Sequence, residues 1–316
     1  MFRAVRRWLF PVGLVIVAAV LVEVGHSDSA SPPVVEAQPA ATRKAPASEQ
    51  EAAEQLLEKT LQRKKPVPTK WVRHNPQERT LFATMWMRHS AEYRAICLQT
   101  YNAAIDKVRE GVRKLRFSQG RLTGTKPPAV VMDLDETVLD NTAFQARLVV
   151  MKQAFDDETF EKWLRDHQHE VRLIPGTANF IKEVEELDVT IVFISNRPDS
   201  HRQETIETLG KLGINIDGVE ARLLLRTQDR DKEARRAQVR EQYQILAILG
   251  DNLHDFSTEF SAKGLEGDPK ALEKRLELVD KNDERWGEEW FVFPNPIYGD
   301  WANLVDWGES DTLLQP

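Results

Sequence analysis

The stretch Ala129-Val130-Val131-Met132-Asp133-Leu134-Asp135-Glu136-Thr137 decides the fold. Four apolar residues in it are followed at once by acidic side chains and a hydroxyl. A short, uninterrupted apolar run is typical of a strand buried on both faces, as in parallel sheets covered by helices. Acids directly after such a strand lie at its carboxyl end, where open α/β sheets place their ligands. The stretch therefore predicts a buried first strand with a polar site at its end.

Further apolar runs of the same kind follow along the chain, at residues 189–194, 222–225, 245–249 and 291–293. Stretches with helical periodicity separate them, at residues 178–186, 201–212, 232–243 and 269–281. Buried strands that alternate with helices indicate an α/β domain with a doubly wound parallel sheet. Before the first strand, apolar residues recur with a helical period over residues 77–115, which predicts N-terminal helices.

The connection between residues 140 and 174 is too long for an ordinary strand-to-helix loop. It contains two predicted helices, at residues 142–155 and 158–167. An insertion after the first strand lies over the ligand-binding edge of such a sheet. We therefore predict a small helical cap at about residues 141–174.

Polar groups follow the next strands in order. Ser195-Asn196-Arg197 follows the second strand, Lys232 opens the helix after the third, and Gly250-Asp251-Asn252-Leu253-His254-Asp255 follows the fourth. The carboxyl ends of parallel strands meet at one edge, so these groups should converge. Arg226 and Arg230, which also follow the third strand, are alternatives to Lys232 as the cation that joins this group.

The expected convergence of acids implies a metal ion, because like charges repel unless a cation neutralises them. Mg²⁺ prefers hard oxygen ligands and usually takes one or two carboxylates. We expect Asp133 and Asp251 to be those ligands and Asp255 to hold a metal-bound water. Ser195, the backbone amides after it, and Lys232 could bind phosphate oxygens.

This set of groups predicts phosphoryl transfer. An aspartate such as Asp133 can attack phosphorus and form an aspartyl-phosphate. Asp135, two residues on, could protonate the leaving alcohol and then deprotonate the attacking water. Three outcomes fit the residues: hydrolysis of phosphomonoesters, transfer of the phosphoryl group to another alcohol, or binding of nucleotides by an exported storage protein with little turnover.

The motifs resemble those of the haloacid dehalogenase superfamily of phosphatases, and more closely those of class C nonspecific acid phosphatases, the bacterial lipoprotein 5′-nucleotidase family. The segments that carry the resemblance are Met87-Arg88-His89-Ser90-Ala91-Glu92-Tyr93 and those at residues 131–141, 194–197, 249–256 and 293–301. The resemblance implies Mg²⁺-dependent hydrolysis of phosphomonoesters, often nucleoside 5′-monophosphates, outside the cytoplasm.

The resemblance also implies roles for individual residues. Asp133 would be nucleophile and metal ligand, and Asp135 would be the acid/base and bind Mg²⁺ through its backbone carbonyl. Asp251 would ligate the metal with support from Asp255. The phosphate group would be held by Ser195, Asn196 and Lys232.

Two aromatic residues match positions that stack on the substrate's base in the family, Phe160 in the cap and Tyr298 in the Pro296-Ile297-Tyr298-Gly299 segment. Relatives carry Trp where this chain has Phe160. By spacing alone, Phe160 could equally be part of the cap core.

The N-terminus predicts export. Arg3, Arg6 and Arg7 precede an uncharged apolar run at residues 8–22, a pattern typical of a signal peptide or, extended to residue 24, of a marginal inner-membrane anchor. We expect residues 1–25 to be this signal, residues 26–65 a disordered or partly helical linker, and residues 66–316 the phosphatase domain. The location would be periplasmic or otherwise extracytoplasmic, with membrane contact only through this segment. Members of the lipoprotein family that this chain resembles typically carry a cysteine just after the signal core. The single cysteine here is Cys97, which is far too late in the sequence, so no lipid anchor is expected.

Composition excludes several partners and sites. A net charge of −7 with no long basic run argues against binding of a nucleic acid polymer. A single cysteine excludes an intramolecular disulfide and a cysteine-based zinc site.

His167 and His169 are two apart, so on a continuous helix they would not share a face and are expected to be independent surface residues. The sequence is compatible with either a monomer or a homodimer.

Overall fold

The computed structural model describes residues 78–119, 126–215, 217–266 and 268–305. The strands are β1 (Pro128–Met132), β2 (Leu139–Asp140), β3 (Arg172–Leu173), β4 (Thr190–Pro198), β5 (Leu223–Arg226), β6 (Gln244–Gly250) and β7 (Trp290–Val292). The helices are α1 (Glu78–His89), α2 (Ala91–Gln119), α3 (Thr142–Met151), α4 (Asp157–Asp166), α5 (Thr177–Glu186), α6 (Arg202–Lys211), α7 (Glu233–Gln242), α8 (Pro269–Lys281) and α9 (Asp300–Leu304).

Five parallel strands form the central sheet in the order β5-β4-β1-β6-β7. All five predicted apolar runs are strands of this sheet, which confirms the doubly wound fold. The chain runs outward from β1 to β4 and β5, then crosses to β6 and β7. The strand order therefore reverses between β1 and β6, and this switch point is where such sheets bind ligands.

Both faces of the sheet are covered. Alternate residues of a strand point to opposite faces, and β1 follows this rule. Val130 and Met132 join the core on the side of α2 and α5, whereas Val131 packs with Val239 of α7 and Leu278 of α8. Burial on both faces explains why β1 is a continuous apolar run rather than an alternating one.

The cap consists of α3 and α4. Its stem is a two-stranded sheet that the sequence analysis did not predict. Strands β2 and β3 pair antiparallel, with Leu139 opposite Leu173, and so join the entry of the insertion to its exit. Helix α3 ends earlier than predicted because Lys152 takes a left-handed backbone with φ of 55°. Helix α4 begins after Asp156, whose side chain accepts a hydrogen bond of 2.7 Å from the Thr159 amide.

The helical period over residues 77–115 resolves into two helices. They are separated at Ser90, whose Oγ accepts a hydrogen bond of 3.0 Å from the Tyr93 amide and caps α2. The predicted signal (1–25) and linker (26–65) lie outside the described residues. Within the described part of the chain, no helix has both the length and the low polarity needed to cross a bilayer.

Candidate active site

Three carboxylates converge at the switch point between β1 and β6. One oxygen each of Asp133, Asp251 and Asp255 lies within 4.8 Å of the others. The two strand ends are joined by a hydrogen bond of 2.9 Å from the Asp133 amide to the Leu249 carbonyl. The predicted convergence of these acids is therefore present in the fold.

Gly250 allows the close approach of Asp255 to the end of β6. A Cβ at this position would lie 2.5 Å from Oδ2 and 2.6 Å from Cβ of Asp255, closer than real Cβ contacts. The Asp255 carboxylate is also fixed locally, because its Oδ2 accepts a hydrogen bond of 3.0 Å from the Asn252 amide. The Gly-Asp-x-x-x-Asp spacing thus has a steric basis in this loop.

Lys232, just before α7, brings an ammonium to the carboxylates. Its Nζ contacts the Asp133 carboxylate and lies 2.7 Å from Oδ1 of Asp255, and the side chain is buried. The two alternative cations are engaged elsewhere. Arg226 donates to the Asn196 carbonyl at 3.0 Å, and Arg230 pairs with Asp157 of the cap at 3.2 Å.

The charge of this cluster fits a hard divalent cation. Burial, the largest cause, raises the pKa of Asp133 to about 7, together with the charges of Asp255 and Asp135 and against the lowering effect of Lys232. Burial, with Asp255 and Asp133 next, also holds the pKa of Asp251 well above its ordinary value. One ammonium faces three carboxylates, so an additional cation would relieve the repulsion, and carboxylate oxygens are the ligands that Mg²⁺ prefers.

Asp135 is held by residues that sequence analysis did not identify as functional. Its Oδ1 accepts hydrogen bonds from Arg197 Nη2 at 2.6 Å, from Arg197 Nε at 3.0 Å and from Asn141 Nδ2 at 2.7 Å. Its Oδ2 accepts from Arg197 Nε at 3.1 Å. Such charge-assisted bonds fix both the position and the plane of the carboxylate.

The two predicted phosphate-binding residues near the end of β4 differ in exposure. Asn196 lines the cavity, and its Oδ1 accepts a hydrogen bond of 2.8 Å from Arg235 Nη2. Ser195 is fully buried, and its Oγ accepts from the Arg197 amide at 3.2 Å. Ser195 is not among the residues that line the cavity.

A cavity of about 300 Å³ opens above these groups. Its lining includes most of the predicted site residues, namely Asp133, Asp135, Asn196, Lys232, Asp251, Asp255 and Tyr298. Asn295 connects the Pro-Asn-Pro loop to the carboxylates, because its Nδ2 donates to Asp251 Oδ2 at 2.8 Å. The loop that carries Tyr298 is thereby tied to the acidic cluster.

Comparison with known proteins identifies the family. Residues 41–301, well over half of the chain, match the family described as HAD superfamily, subfamily IIIB (Acid phosphatase). The chain belongs to this family. Its membership supports a phosphomonoesterase and confirms the resemblance inferred from the motifs.

Two solved structures of the class C acid phosphatase from Bacillus anthracis are similar to this family member. The first is 30% identical with a TM-score of 0.63, and the second, with tungstate bound, is 31% identical with a TM-score of 0.61. Each comparison covers 75% of this chain and 95% of the other. Acid phosphatase 1 of Solanum lycopersicum is 26% identical over 133 residues, which are 40% of this chain and half the length of the tomato protein.

The two aromatic residues predicted to stack on substrate lie in different environments in this acid phosphatase family member. Tyr298 lines the cavity. Phe160 packs in the cap instead, with ring centroids 5.1 Å from Phe144 and 6.1 Å from Trp163, and is not among the residues that line the cavity. This placement favours the cap-core interpretation of Phe160, and its stacking on substrate stays a prediction.

Glu136 is a further residue whose importance sequence analysis missed. It is fully buried in a left-handed conformation with φ of 57°, which costs a non-glycine residue of the order of 1 kcal/mol. Its Oε1 accepts a hydrogen bond of 3.0 Å from the Asn141 amide. Burial first, then the charges of Asp135 and Asp251, hold the pKa of Glu136 well above its ordinary value. The acidic run after β1 therefore contains a structural acid that shapes the turn.

Proposed function

We propose that the protein hydrolyses phosphomonoesters by way of an aspartyl-phosphate on Asp133, with Mg²⁺ held by the carboxylate cluster. The observation that carries this proposal is the convergence of Asp133, Asp251 and Asp255 around the Lys232 ammonium at the switch point. When bound, Mg²⁺ would neutralise negative charge and allow an anionic phosphate to approach an anionic nucleophile. Asp133, Asp251 and the Asp135 backbone carbonyl would hold it, with Asp255 in support.

The residues then divide the reaction between them. A carboxylate oxygen of Asp133 attacks phosphorus, the ester P–O bond breaks, and Asp135 gives a proton to the departing alkoxide. Asp135 next takes a proton from a water that attacks the aspartyl-phosphate, which releases phosphate and restores Asp133. Lys232 exchanges its contact with Asp133 for the phosphate oxygens, aided by Asn196 and the Ser195 segment.

The hydrogen bonds of Asp135 and its place in the cavity support a role in proton transfer. Among the described residues, Oδ1 accepts three hydrogen bonds and Oδ2 accepts one, at 3.1 Å. Oδ2 therefore keeps more capacity to exchange a proton, and the residue lines the cavity. The tungstate in the similar Bacillus anthracis structure supports an oxyanion site, since tungstate and phosphate are both tetrahedral oxyanions.

We infer that nucleoside 5′-monophosphates are the preferred substrates and that the enzyme acts outside the cytoplasm. Tyr298 lines the cavity, where its ring would stack on a nucleobase, and stacking of this kind tolerates different bases. The basic and apolar segments at residues 3–22 support export. Fractionation of cells that produce the tagged full chain should place it in the periplasm or inner membrane, and cytoplasmic protein would contradict export.

The direct test is a panel of nucleoside monophosphates, sugar phosphates and p-nitrophenyl phosphate, each assayed with Mg²⁺ and with chelator. We expect phosphate release that Mg²⁺ restores after chelation and that Asp133→Asn abolishes, with nucleoside monophosphates turned over best. Chelator-resistant hydrolysis would contradict the metal assignment. Wild-type rates in Asp133→Asn would contradict the nucleophile.

A further inference from the structure

A cluster of two histidines and a glutamate lies outside the active site, where α4 ends and the chain turns toward β3. His167 Nδ1 is 3.0 Å from Glu170 Oε1, and His169 Nε2 is 4.0 Å from the same oxygen. One ligand atom from each residue lies within 4.8 Å of the others. The two histidines therefore lie close together although they are only two positions apart, and His169 is exposed at the surface.

Local backbone geometry explains the convergence. Helix α4 ends at Asp166, and Gln168–Glu170 form a tighter 3-10 turn. In such a turn, residues three apart eclipse each other, which places Glu170 beside His167. The turn is held by hydrogen bonds from the His167 amide to the Trp163 carbonyl at 2.8 Å and from the Glu170 amide to the His167 carbonyl at 2.9 Å.

His167 Nδ1 lacks a hydrogen bond that its position requires. The atom has almost no contact with solvent and, although it lies 3.0 Å from Glu170 Oε1, it makes no hydrogen bond within the described residues. Buried polar atoms are nearly always satisfied. A metal ion between the imidazole and the carboxylate would satisfy this nitrogen.

We propose that His167, His169 and Glu170 form a second metal site, on the cap, for a transition-metal dication of the zinc class. Zinc binds imidazole nitrogen and carboxylate oxygen at about 2.0–2.2 Å with tetrahedral geometry, which puts neighbouring ligand atoms roughly 3.4 Å apart. The observed separations of 3.0 and 4.0 Å lie on either side of that value. Small side-chain rotations would close the site.

The ligand types separate this site from the carboxylate cluster. Imidazole suits zinc, copper and nickel, whereas Mg²⁺ prefers oxygen ligands. Arg147 Nη1 lies 3.8 Å from Glu170 Oε1 and would yield that contact to the ion. A bound ion would tie together the turn between the end of α4 and the start of β3.

The test is metal binding by the purified full chain with Mg²⁺ in large excess. Co²⁺ serves as the optical probe, because a four-coordinate site with histidine absorbs visible light far more strongly than an octahedral carboxylate site. We expect one equivalent of Co²⁺, displaced by Zn²⁺, in wild type and in the control His89→Ala, which removes an exposed histidine of α1. Binding should weaken at least tenfold in the double variant His167→Ala, His169→Ala.

Two further variants keep the result decisive. Asp251→Asn disables the carboxylate cluster, so loss of the Co²⁺ band in that variant would assign the ion to the active site and overturn the proposal. His169→Ala alone changes a side chain that is 76% exposed, so it tests the site if the double variant fails to fold. Absence of Co²⁺ binding in wild type, or unchanged binding without the two histidines, would also overturn it.

Discussion

The guanidinium of Arg197 hydrogen-bonds both carboxylate oxygens of Asp135, at distances of 2.6, 3.0 and 3.1 Å. The Arg197 side chain is 1% exposed, so salt screens this pair less than it would screen a pair on the surface. The contact joins the carboxyl end of β4 to the turn after β1. It orients the group proposed to move protons in catalysis.

Arg197→Lys should therefore reduce turnover through misplacement of Asp135. Lysine keeps the charge but cannot form the fork of parallel hydrogen bonds. We expect kcat to fall roughly 10- to 100-fold, as for other small misplacements of a catalytic group. The loss should be larger for an alkyl phosphate than for p-nitrophenyl phosphate, because a poor leaving group depends more on protonation.

Arg202→Lys is the matched control, since Arg202 contacts Asp199 on the same segment but away from the cavity. Its kcat should stay within about twofold of wild type. Equal losses for both leaving groups in Arg197→Lys would show that the arginine acts only in folding.

Gly250→Ala should damage the acidic cluster. The new Cβ would meet the Asp255 side chain at 2.5–2.8 Å, so this side chain, which also contacts Lys232, must shift. We expect roughly 1–3 kcal/mol lower stability and a higher Mg²⁺ requirement in assays of kcat against metal concentration. Gly111→Ala, whose Cβ meets the flexible end of Leu246, should keep wild-type metal dependence. A Gly250→Ala enzyme with the same dependence would argue against this packing.

The metal-free protein should lose stability as pH rises. Asp133 has an ordinary pKa of 3.8, which the fold raises to about 7, so the folded state binds this proton more tightly than the unfolded chain. The associated stability is present below about pH 4 and is lost as pH rises through about 7. Each kcal/mol lost lowers Tm by about 2–4 °C in a domain of this size.

Thermal unfolding with chelator at pH 5, 6, 7 and 8 measures this effect. Added Mg²⁺ should raise Tm more at pH 8 than at pH 5, because the ligands must be deprotonated to bind metal. Asp251→Asn, which removes another acid of the cluster, should flatten the pH dependence. A metal-free Tm that rises across this range would contradict the charge balance described for the cluster.

Tyr298→Ala should impair nucleotides selectively. Stacking of a base on an aromatic side chain contributes about 1–3 kcal/mol, so KM for nucleoside monophosphates should rise by roughly 5- to 150-fold. KM for glycerol phosphate, which has no base, should change little. Phe160→Ala is the comparison, and an effect limited to thermal stability would assign Phe160 to the cap core. Equal changes for both substrates in Tyr298→Ala would exclude stacking by Tyr298.

The sheet could be predicted because its signal is local. Strand β1 is buried on both faces, and this burial requires the four consecutive apolar residues that are visible in the sequence. Topology then brings the strand ends together, which is why Asp133 and Asp251 could be assigned to one site before their distance was known. The early end of α3 was missed because a left-handed lysine such as Lys152 has no sequence signal as strong as glycine.

The partners of the catalytic acids could not be predicted in the same way. Arg197 reaches Asp135 across 62 positions of sequence, and Asn295 reaches Asp251 across 44. Such contacts depend on side-chain directions at two strand ends and not on any periodicity. The position of Arg197 within Ser195-Asn196-Arg197, directly after a buried strand, was the available signal for its role.

Acid-quench mass spectrometry of the Asp135→Asn enzyme with p-nitrophenyl phosphate and Mg²⁺ tests the central claim most directly. The p-nitrophenolate group of this substrate leaves with little need of protonation, whereas hydrolysis of the intermediate needs the base at residue 135. We predict one phosphoryl group per chain, on the peptide that contains Asp133, and none in Asp133→Asn. Phosphate on another residue, or an Asp135→Asn enzyme that turns over without any phosphorylated peptide, would contradict Asp133 as the nucleophile.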